Sequence, residues 1–370
     1  MEIIENEELL LEQHFEEEII KMGALSIPEN EIKKEESIGE GAFGKVYKGK
    51  YKDNIVAIKK IKLEEKSQEI FDSLLNEIKV IHKAQNADIP KFYGIMKRKG
   101  HYNLIFEFIP GNTLKDIYPQ LTYLQKLNIL ISLCTILENF HKKHLIHRDI
   151  KPGNIMITEN MIVKLIDFGI SKIAQHTCTF TNAQIGTIPY MSPEQFQIDL
   201  DRFSNPNVED IKPVPISIYS DIWSVGVMTS EIFSNIKPYY NISKKYHPNP
   251  QMITRRLIGN KPFPIPKELD ENIKIIVEKA TNVQVEKRVN ASELKELFIK
   301  LKEKNENESN KNIINNNNNN NKYNNDDNND KNNFDKNNEN INTTKENTNL
   351  FANNDNNIKN NNNGIFISNE

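Results

Sequence analysis

Cysteine is scarce in this 370-residue chain, and its two cysteines, Cys134 and Cys178, are too few for a disulfide framework or a Cys-rich metal site. Thiols used so sparingly suit a reducing compartment. No apolar run reaches the roughly 18 residues of a membrane-spanning helix. Eight glutamates precede the first basic residue, Lys21, which is unlike a signal or transit peptide. These absences predict an intracellular protein, cytoplasmic ahead of nuclear, without a membrane partner.

A strong charge excess is also missing. The 48 basic and 51 acidic side chains give a formal net charge of -3, which provides no electrostatic indication of nucleic-acid binding. Hydrophobic residues make up 37% of the chain, and the polar excess lies at the C-terminus. Residues 303–370 are dominated by Asn, including an unbroken run from Asn315 to Asn321. Apolar side chains there are too sparse to offset the entropy of ordering, so the sequence predicts a disordered tail.

The remaining chain divides into three segments. Residues 1–31 predict an acidic helix with a linker, and the helix places Ile4, Leu11, Phe15, Ile19 and Met22 on one face. Packing of this face on the adjoining domain is favoured over partner binding. Residues 32–110 predict a small, mainly β lobe with one helix, and residues 111–302 predict a larger, mainly α lobe. The predicted fold class is therefore α+β with two lobes.

The stretch IGEGAFGKVYKG, residues 38–49, fits three glycine-rich patterns that bind phosphate. It fits the dinucleotide fingerprint G-x-G-x-x-G, a Walker A loop with Val46 in place of the final Ser or Thr, and a G-x-G-x-x-G-x-V loop. In the first two, the glycines end a strand and open a helix. Here the residues after Gly44 continue as strand, so the glycines are expected at the tip of a hairpin that covers the phosphates.

A hairpin of this kind supplies backbone N–H groups but no positive charge, so a nearby lysine is needed. VAIKK provides Lys59 on the next strand, 15 residues after Gly44. A carboxylate from the following helix can hold this lysine in position. Glu77 in LLNEIKVI is the favoured candidate, with Glu69 near the helix start as the alternative.

The segment HLIHRDIKPGNIMI places three polar side chains on one loop: Asp149, Lys151 and Asn154. LIDFGISK adds Asp167 eighteen residues after Asp149, beyond a short predicted hairpin. Phosphoryl transfer needs a carboxylate that takes the hydroxyl proton, a cation on the migrating group and oxygen ligands for Mg²⁺. Asp149, Lys151 and the pair Asn154 plus Asp167 match these roles in turn, and oxygen ligands suit Mg²⁺ better than zinc.

Together these motifs resemble eukaryotic protein kinases over about residues 32–302. The resemblance implies a two-lobed fold with ATP and Mg²⁺ (or Mn²⁺) in the cleft. It implies a gatekeeper at Phe106, hinge residues Glu107 and Phe108 whose backbone meets adenine, and Val46 and Ala57 on the two faces of the base. The full set of implied nucleotide-binding residues is Ile38, Gly39, Glu40, Gly41, Ala42, Phe43, Gly44, Lys45, Val46, Ala57, Lys59, Phe106, Glu107 and Phe108. Lys45 itself is expected to face solvent.

The resemblance also implies structural roles. His147 and Phe168 are expected to support the site rather than carry protons. Glu194 in the segment SPE is expected to pair with Arg288. Asp221 in SDIWSVG is expected to brace the catalytic loop from below.

Substrate type and regulation follow from the same resemblance. Lys151 and Thr187 resemble serine/threonine kinases, whose substrates are protein Ser and Thr hydroxyls, and the wider motifs lean toward the tyrosine-kinase-like or mixed-lineage branch. Arg148 is expected to bind a phosphate on the activation loop, with Lys172 as a second contact. Thr177, Thr179 and Thr181 are the candidate acceptors on this loop. Phosphorylation of Thr179 or Thr181 by an upstream kinase is expected to raise activity.

Two other functions stay open: a pseudokinase scaffold, and a small-molecule kinase on a related fold. The complete set of catalytic side chains disfavours the first, and GTIPYMSPE with Asp221 disfavours the second. Residues 199–217 predict a Pro-rich, acidic insertion that is more consistent with a tolerated surface loop than with substrate docking.

Overall fold

The computed structural model describes residues 2–41, 44–62, 68–84, 88–98, 101–167, 188–195, 217–243 and 250–326. The chain divides into two compact units, residues 1–310 and 311–370. In the second unit, the described residues 311–326 are helical. Among the described residues, no helix is both long and apolar enough to cross a membrane.

The N-terminal lobe is an antiparallel sheet of five strands in the order β1-β2-β3-β5-β4. Successive side chains of β3 point to opposite faces of the sheet, so this strand contributes to a hydrophobic cluster on each face. Val56 and Ile58 pack with Ile27 and Ile105 on one face, whereas Ile61 joins the main core on the other. The strands are β1 (Ile32–Gly41), β2 (Gly44–Tyr51), β3 (Asn54–Lys62), β4 (Phe92–Arg98) and β5 (His101–Glu107).

Two helices cover the second face of this sheet: α1 (Glu2–Lys21) and α2 (Gln68–Ala84). Helix α2 buries Phe71, Leu74, Ile78 and Ile81, which recur at the spacing of an amphipathic helix. Phe15 of α1 is fully buried in the same core. The prediction that the apolar face of α1 packs on the adjoining domain is confirmed for its described side chains.

The C-terminal lobe is built around two long helices, α4 (Tyr123–Lys142) and α5 (Tyr219–Ser234). A capping box, in which Thr122 and Gln125 exchange side-chain and backbone hydrogen bonds, fixes the start of α4. Every residue of α5 from Ser220 to Ile232 is buried, so this helix forms the centre of the lobe. The helices are α3 (Leu114–Ile117), α4 (Tyr123–Lys142), α5 (Tyr219–Ser234), α6 (Tyr240–Ser243), α7 (Pro250–Ile258), α8 (Glu271–Ala280) and α9 (Ala291–Asp326).

A small sheet lies beside these helices and carries the loop of residues 147–154, which the sequence predicted to be the catalytic loop. Its strands β6 (Asn112–Thr113), β7 (Ile155–Ile157) and β8 (Val163–Leu165) are antiparallel in the order β6-β7-β8. The short hairpin predicted from IMIT and VKLIDFG is therefore present as β7 and β8. It connects the loop before Ile155 to the strand end that leads to Asp167.

Helix α9 differs from the sequence prediction, which placed disorder from residue 303 onward. The helix is described as far as Asp326. An i,i+4 ion pair joins Lys302 to Glu306 at 3.9 Å, and the side chain of Asn305 donates to the carbonyl of Leu301 at 2.8 Å. Both contacts lie in the first turn past residue 302, before the Asn run, whose residues have low helix propensity. The tail prediction for residues 327–370 lies outside the described residues.

Candidate active site

The glycine-rich stretch lies at the end of the β1–β2 hairpin. Gly41 pairs with Gly44 at the tip, Glu40 with Lys45, and Gly39 with Val46. The chain therefore continues as strand after Gly44, as predicted, and does not open a helix. Ile38, Gly39 and Lys45 are exposed. Ala42 and Phe43 lie outside the described residues, as does the side chain of Glu40.

Strand register aligns the predicted nucleotide-binding side chains on one face of the sheet. Val46 lies opposite Lys59, and Ala57 lies opposite Phe106. Directly paired residues share a face, and residues two apart on one strand share it too. Val46, Ala57, Lys59 and Phe106 therefore project to the same side. This is the side on which the sequence placed the nucleotide.

The hinge region is more constrained than the sequence indicated. The backbone N–H of Glu107 donates to the carbonyl of Lys91 at 2.8 Å, and that of Phe108 donates to Ile55 at 3.3 Å. Both N–H groups are thus used within the lobe. The predicted contact of this backbone with adenine stays a prediction, and it cannot use these two donors in the arrangement described.

Lys59 pairs with Asp167 in this structure. Its Nζ lies 2.7 Å from Asp167 Oδ1, and the lysine side chain is buried whereas that of Asp167 is 41% exposed. Burial acts to raise the pKa of Asp167, but the charge and hydrogen bond of Lys59 outweigh it, so the pKa lies below its usual value. Glu77 lies on α2, but its side chain is outside the described residues, as is that of Glu69. The predicted Lys59–Glu77 pair therefore stays a prediction.

The catalytic-loop side chains converge on Asp149. Its Oδ2 accepts hydrogen bonds from Lys151 Nζ at 2.8 Å and from Asn154 Nδ2 at 2.7 Å. Its Oδ1 is buried and accepts no hydrogen bond from any described residue. One carboxylate oxygen is thereby fixed by a cation and an amide, while the other is left for a further donor. A substrate hydroxyl is a donor of that type.

The amide of Asn154 fits the role of a metal ligand. Its nitrogen donates to both the backbone carbonyl and Oδ2 of Asp149, each at 2.7 Å, so the amide oxygen is the group left to accept. The backbone N–H of Ile166 donates to the Asn154 carbonyl at 2.9 Å, which ties the loop to the residue before Asp167. An amide oxygen is a hard ligand of the kind that suits Mg²⁺.

Asp221 holds the backbone of the catalytic loop, as the sequence predicted. Its fully buried carboxylate accepts from the N–H of His147 at 2.9 Å and from the N–H of Arg148 at 2.8 Å. Arg148 has a left-handed φ of 69°, a strained conformation for a residue with a side chain. The two hydrogen bonds stabilise this turn immediately before Asp149.

Two side chains that sequence reasoning missed complete this support. His141, in the last turn of α4, places Nε2 3.0 Å from Asp221 Oδ2. Burial acts to raise the pKa of Asp221, but the hydrogen bond and charge of His141 lower it overall. Gln195 donates from Nε2 to the Arg148 carbonyl at 2.9 Å. Neither contact follows a local spacing rule, because each partner comes from a distant part of the chain.

His147 has the environment expected of a supporting residue. It is buried, and its Nε2 lies 3.3 Å from the carbonyl of Ile166. Burial lowers its pKa below the usual value even though Asp221 and Asp149 act to raise it. The ring is therefore neutral near pH 7. Phe168, which was given a similar role, lies outside the described residues.

Glu194 and Arg288 form the pair that the sequence predicted. Arg288 Nη1 lies 2.7 Å from Glu194 Oε1, and Nη2 lies 3.2 Å from Oε2. The guanidinium also lies over the ring of Trp223, 5.1 Å from its centroid. This buried ion pair connects the segment SPE to the helical lobe.

A second buried carboxylate on α5 was missed. Glu231 accepts from the hydroxyl of Tyr190 and from Lys237 Nζ, the latter at 2.6 Å. The signal in the sequence was a lone acidic residue in the apolar stretch VGVMTSEIF. Such a charge inside a buried helix needs a partner. Here one partner, Tyr190, lies two residues before the segment SPE.

The proposed regulatory threonines Thr177, Thr179, Thr181 and Thr187 lie outside the described residues, and so does Lys172. The same holds for residues 196–216, which include nearly all of the predicted insertion. Arg148 is described, and its side chain is half-buried.

A hairpin flap, a buried lysine on the adjacent strand and a braced Asp-x-Lys loop lie in the two-lobed arrangement from which the sequence predicted phosphoryl transfer. Comparison with known families agrees: the family model "protein kinase domain" matches residues 32–298. The chain belongs to the protein kinase family.

Named relatives are similar over part of their length. MAP3K epsilon protein kinase 1 of Arabidopsis thaliana is 30% identical over 245 residues, which cover 64% of this chain and 16% of the relative. Serine/threonine-protein kinase dst2 of Dictyostelium discoideum is 35% identical over 203 residues, covering 53% of this chain and 16% of the relative. Serine/threonine-protein kinase STY46 of A. thaliana is 28% identical over 206 residues, which cover 55% of this chain and 33% of the relative. The chain thus spans a third or less of each of these relatives.

Proposed function

We propose that this chain is an active serine/threonine protein kinase that transfers the γ-phosphoryl group of ATP to protein hydroxyls. The observation that carries the proposal is the asymmetry of Asp149. Oδ2 is held by Lys151 and Asn154, whereas Oδ1 accepts nothing from the described residues. A carboxylate oxygen that is buried, oriented and without a donor is suited to accept the proton of a substrate hydroxyl.

The chemistry then divides among the named side chains. Asp149 receives the hydroxyl proton as the substrate oxygen bonds to phosphorus and the bond from phosphorus to the ADP oxygen breaks. Lys151 lies close enough to Asp149 to contact the migrating phosphoryl group, and Lys59 stabilises phosphate oxygens below the glycine hairpin. Asn154 and Asp167 are the proposed ligands of Mg²⁺, which would neutralise charge on the phosphates when bound. Mn²⁺ presents similar oxygen preferences and is expected to substitute.

Protein substrates bearing Ser or Thr are favoured for two reasons. Lys151 is the residue that the resemblance associates with serine/threonine kinases, and two of the relatives above carry that activity in their names. The similarity to a protein named as a MAP3K also supports an upstream activating kinase within a cascade. We extend the proposal to phosphorylation of Thr179 or Thr181, with Arg148 as the phosphate contact, and to an intracellular, cytoplasmic location.

The test is a transfer assay with purified protein, labelled ATP, Mg²⁺ and a generic protein substrate. Asp149→Asn keeps the shape of the side chain and removes the proton acceptor, so we expect a loss of at least about 100-fold in rate. Its thermal unfolding should be compared with that of the wild type, to show that the site and not the fold has changed. Equal labelling by the two proteins would refute the catalytic assignment, and label recovered on tyrosine would refute the serine/threonine assignment.

The regulatory part has its own test. A Thr179→Ala/Thr181→Ala double variant should lose the activation that an upstream kinase confers, while Thr177→Ala should retain it. Full activity in the double variant, with no response to phosphorylation in the wild type, would remove this part of the proposal and leave the catalytic part intact.

A further inference from the structure

Helix α1 is joined to the N-terminal lobe by a buried aromatic cluster. The ring of Phe15 lies 5.0 Å from that of Phe71 on α2 and 5.0 Å from that of Tyr102 on β5. Phe15 is 0% exposed, and Ile19 one turn later is buried as well. Phe15 therefore contacts the helix and the sheet at once, so that its position fixes one relative to the other.

An ion-pair cluster adds a second attachment. Lys97 on β4 lies 2.9 Å from Glu12 and 2.7 Å from Glu16, both on α1. Partial burial acts to lower the pKa of Lys97, but its hydrogen bonds to Glu16 and Glu12 raise it well above the usual value. The lysine is consequently charged at all physiological pH values. This pair holds the same stretch of α1 that carries Phe15.

The chain after α1 supplies a third attachment through its backbone. Ile95 on β4 donates from N to the carbonyl of Leu25 at 2.8 Å and accepts at its carbonyl from the N–H of Ile27 at 2.7 Å. Gly94 allows this approach, because a Cβ there would lie 2.2 Å from the Leu25 oxygen. The segment from α1 to Ile27 is thus fixed at both ends to the lobe.

These attachments matter for the active site because of what α2 carries. Glu77, the predicted partner of Lys59, lies on α2. Of the elements that the structure describes, α1 makes the most extensive backbone approach to α2. The kinase reaction requires the strand lysine and the helix glutamate to be in place together. An element that determines where α2 lies therefore also determines whether that requirement is met.

We propose that α1 is a built-in positioning element for α2, and that Phe15 is its main positioning residue. The proposal rests on the kinase function proposed above and adds to it a role for the segment before residue 32. Packing for stability alone would predict that loss of Phe15 lowers the amount of folded protein without changing the kinetics of what remains. Positioning predicts a change in nucleotide use by the folded protein.

The experiment compares Phe15→Ala with Ile20→Ala, a truncation on the same helix at a side chain that is 65% exposed. Kinetics are measured on folded protein, well below the melting temperature of each variant. For Phe15→Ala we expect KM for ATP to rise and kcat to fall, by at least about fivefold in kcat/KM, which is the lower end of typical couplings between sites. KM for the peptide substrate should stay unchanged. Phe15→Leu, which keeps an apolar side chain, should recover most of the loss.

A second pair of variants covers the case in which Phe15→Ala does not fold. Lys97→Met removes both ion pairs to α1 from a half-exposed position. Lys21→Met removes the same charge from a lysine that is 63% exposed and pairs only with Glu18 on its own helix in the described ion pairs. Lys97→Met should also raise KM for ATP and leave KM for the peptide unchanged, with a smaller effect than Phe15→Ala. Lys21→Met should stay within about twofold of wild type.

Hydrogen exchange provides a readout that does not depend on catalysis. Amides of residues 68–84 should exchange faster in Phe15→Ala and Lys97→Met, while those of α4 should keep wild-type protection. An inactive wild type would refute the proposed function, and the exchange data would still test the inference. Wild-type kcat/KM for ATP and wild-type exchange in α2 for both variants would overturn the inference and leave the proposed function unaffected.

Discussion

Replacing Asp221 with asparagine should both destabilise the protein and slow phosphoryl transfer. The carboxylate accepts three hydrogen bonds at 2.8–3.0 Å, two of them from successive backbone N–H groups of the catalytic loop. Asparagine has nearly the same shape but retains only one acceptor oxygen. Its NH₂ group would face a donor, so that at least one buried N–H loses its partner.

The magnitude follows from these contacts. A buried donor left without an acceptor costs about 1–3 kcal/mol, and hydrogen bonds to a charged group contribute about 1.5–3 kcal/mol each. We therefore expect the free energy of unfolding to fall by about 3 kcal/mol, a large fraction of a typical total of about 5–15 kcal/mol. The left-handed turn at Arg148 would also lose its support. A displacement of Asp149 by about 1 Å is enough for a loss of roughly 100-fold in kcat.

Urea unfolding and steady-state kinetics on the same preparation test both expectations. Thr229→Val is the matched control, because Thr229 is equally buried on α5 and its hydroxyl bonds only to the Val225 carbonyl among the described contacts, at 2.8 Å. Thr229→Val should lower the free energy of unfolding by about 1 kcal/mol and leave kcat unchanged. If Asp221→Asn matched this control in both measurements, the reasoning that Asp221 fixes the catalytic loop would be wrong.

Three further outcomes follow from the structure. Glu194→Gln and Arg288→Met should each lower the free energy of unfolding by about 3–5 kcal/mol, because each leaves a buried charge without its partner. The double variant should lose less than the sum of the two, and an additive double-mutant cycle would contradict this. Gly94→Ala should lower the free energy of unfolding in urea more than Gly23→Ala. Both glycines have positive φ, but only at Gly94 does a new Cβ lie close to a carbonyl oxygen, at 2.2 Å. The pKa of His147 is lowered in the folded state, so below about pH 6.5 the unfolded chain binds the extra proton and stability should fall. Unfolding curves between pH 7.5 and 5.5 should show a weaker pH dependence for His147→Asn, and an identical dependence would argue against this account.

Local patterns in the sequence predicted the parts of the site that lie close together along the chain. The glycine hairpin followed from strand-forming residues after Gly44, and the grouping of Asp149 with Asn154 followed from their spacing on one loop. These features depend on backbone periodicity and short loops, which neighbouring residues determine. The resemblance to a known family supplied the long-range pair of Glu194 and Arg288, which no local rule contains.

Contacts between distant segments were harder to anticipate. His141 at the end of α4 and Glu231 within α5 contact their partners only when the helices pack. Sequence patterns therefore did not predict the roles of these two residues. The contact of Lys59 with Asp167 was not anticipated, and the predicted pair with Glu77 stays a prediction because the Glu77 side chain lies outside the described residues. Helix α9 extends past residue 302, which the overall composition of residues 303–370 did not reveal.

The aromatic cluster around Phe15 also bears on where this protein can be shortened. The family match begins at residue 32, but the hydrophobic core begins seventeen residues earlier in the sequence. A recombinant protein trimmed to the match would leave Phe71 and Tyr102 facing water as a contiguous apolar patch. Such patches promote self-association, so poor solubility of the trimmed protein would report a missing part of the core rather than an unstable family member.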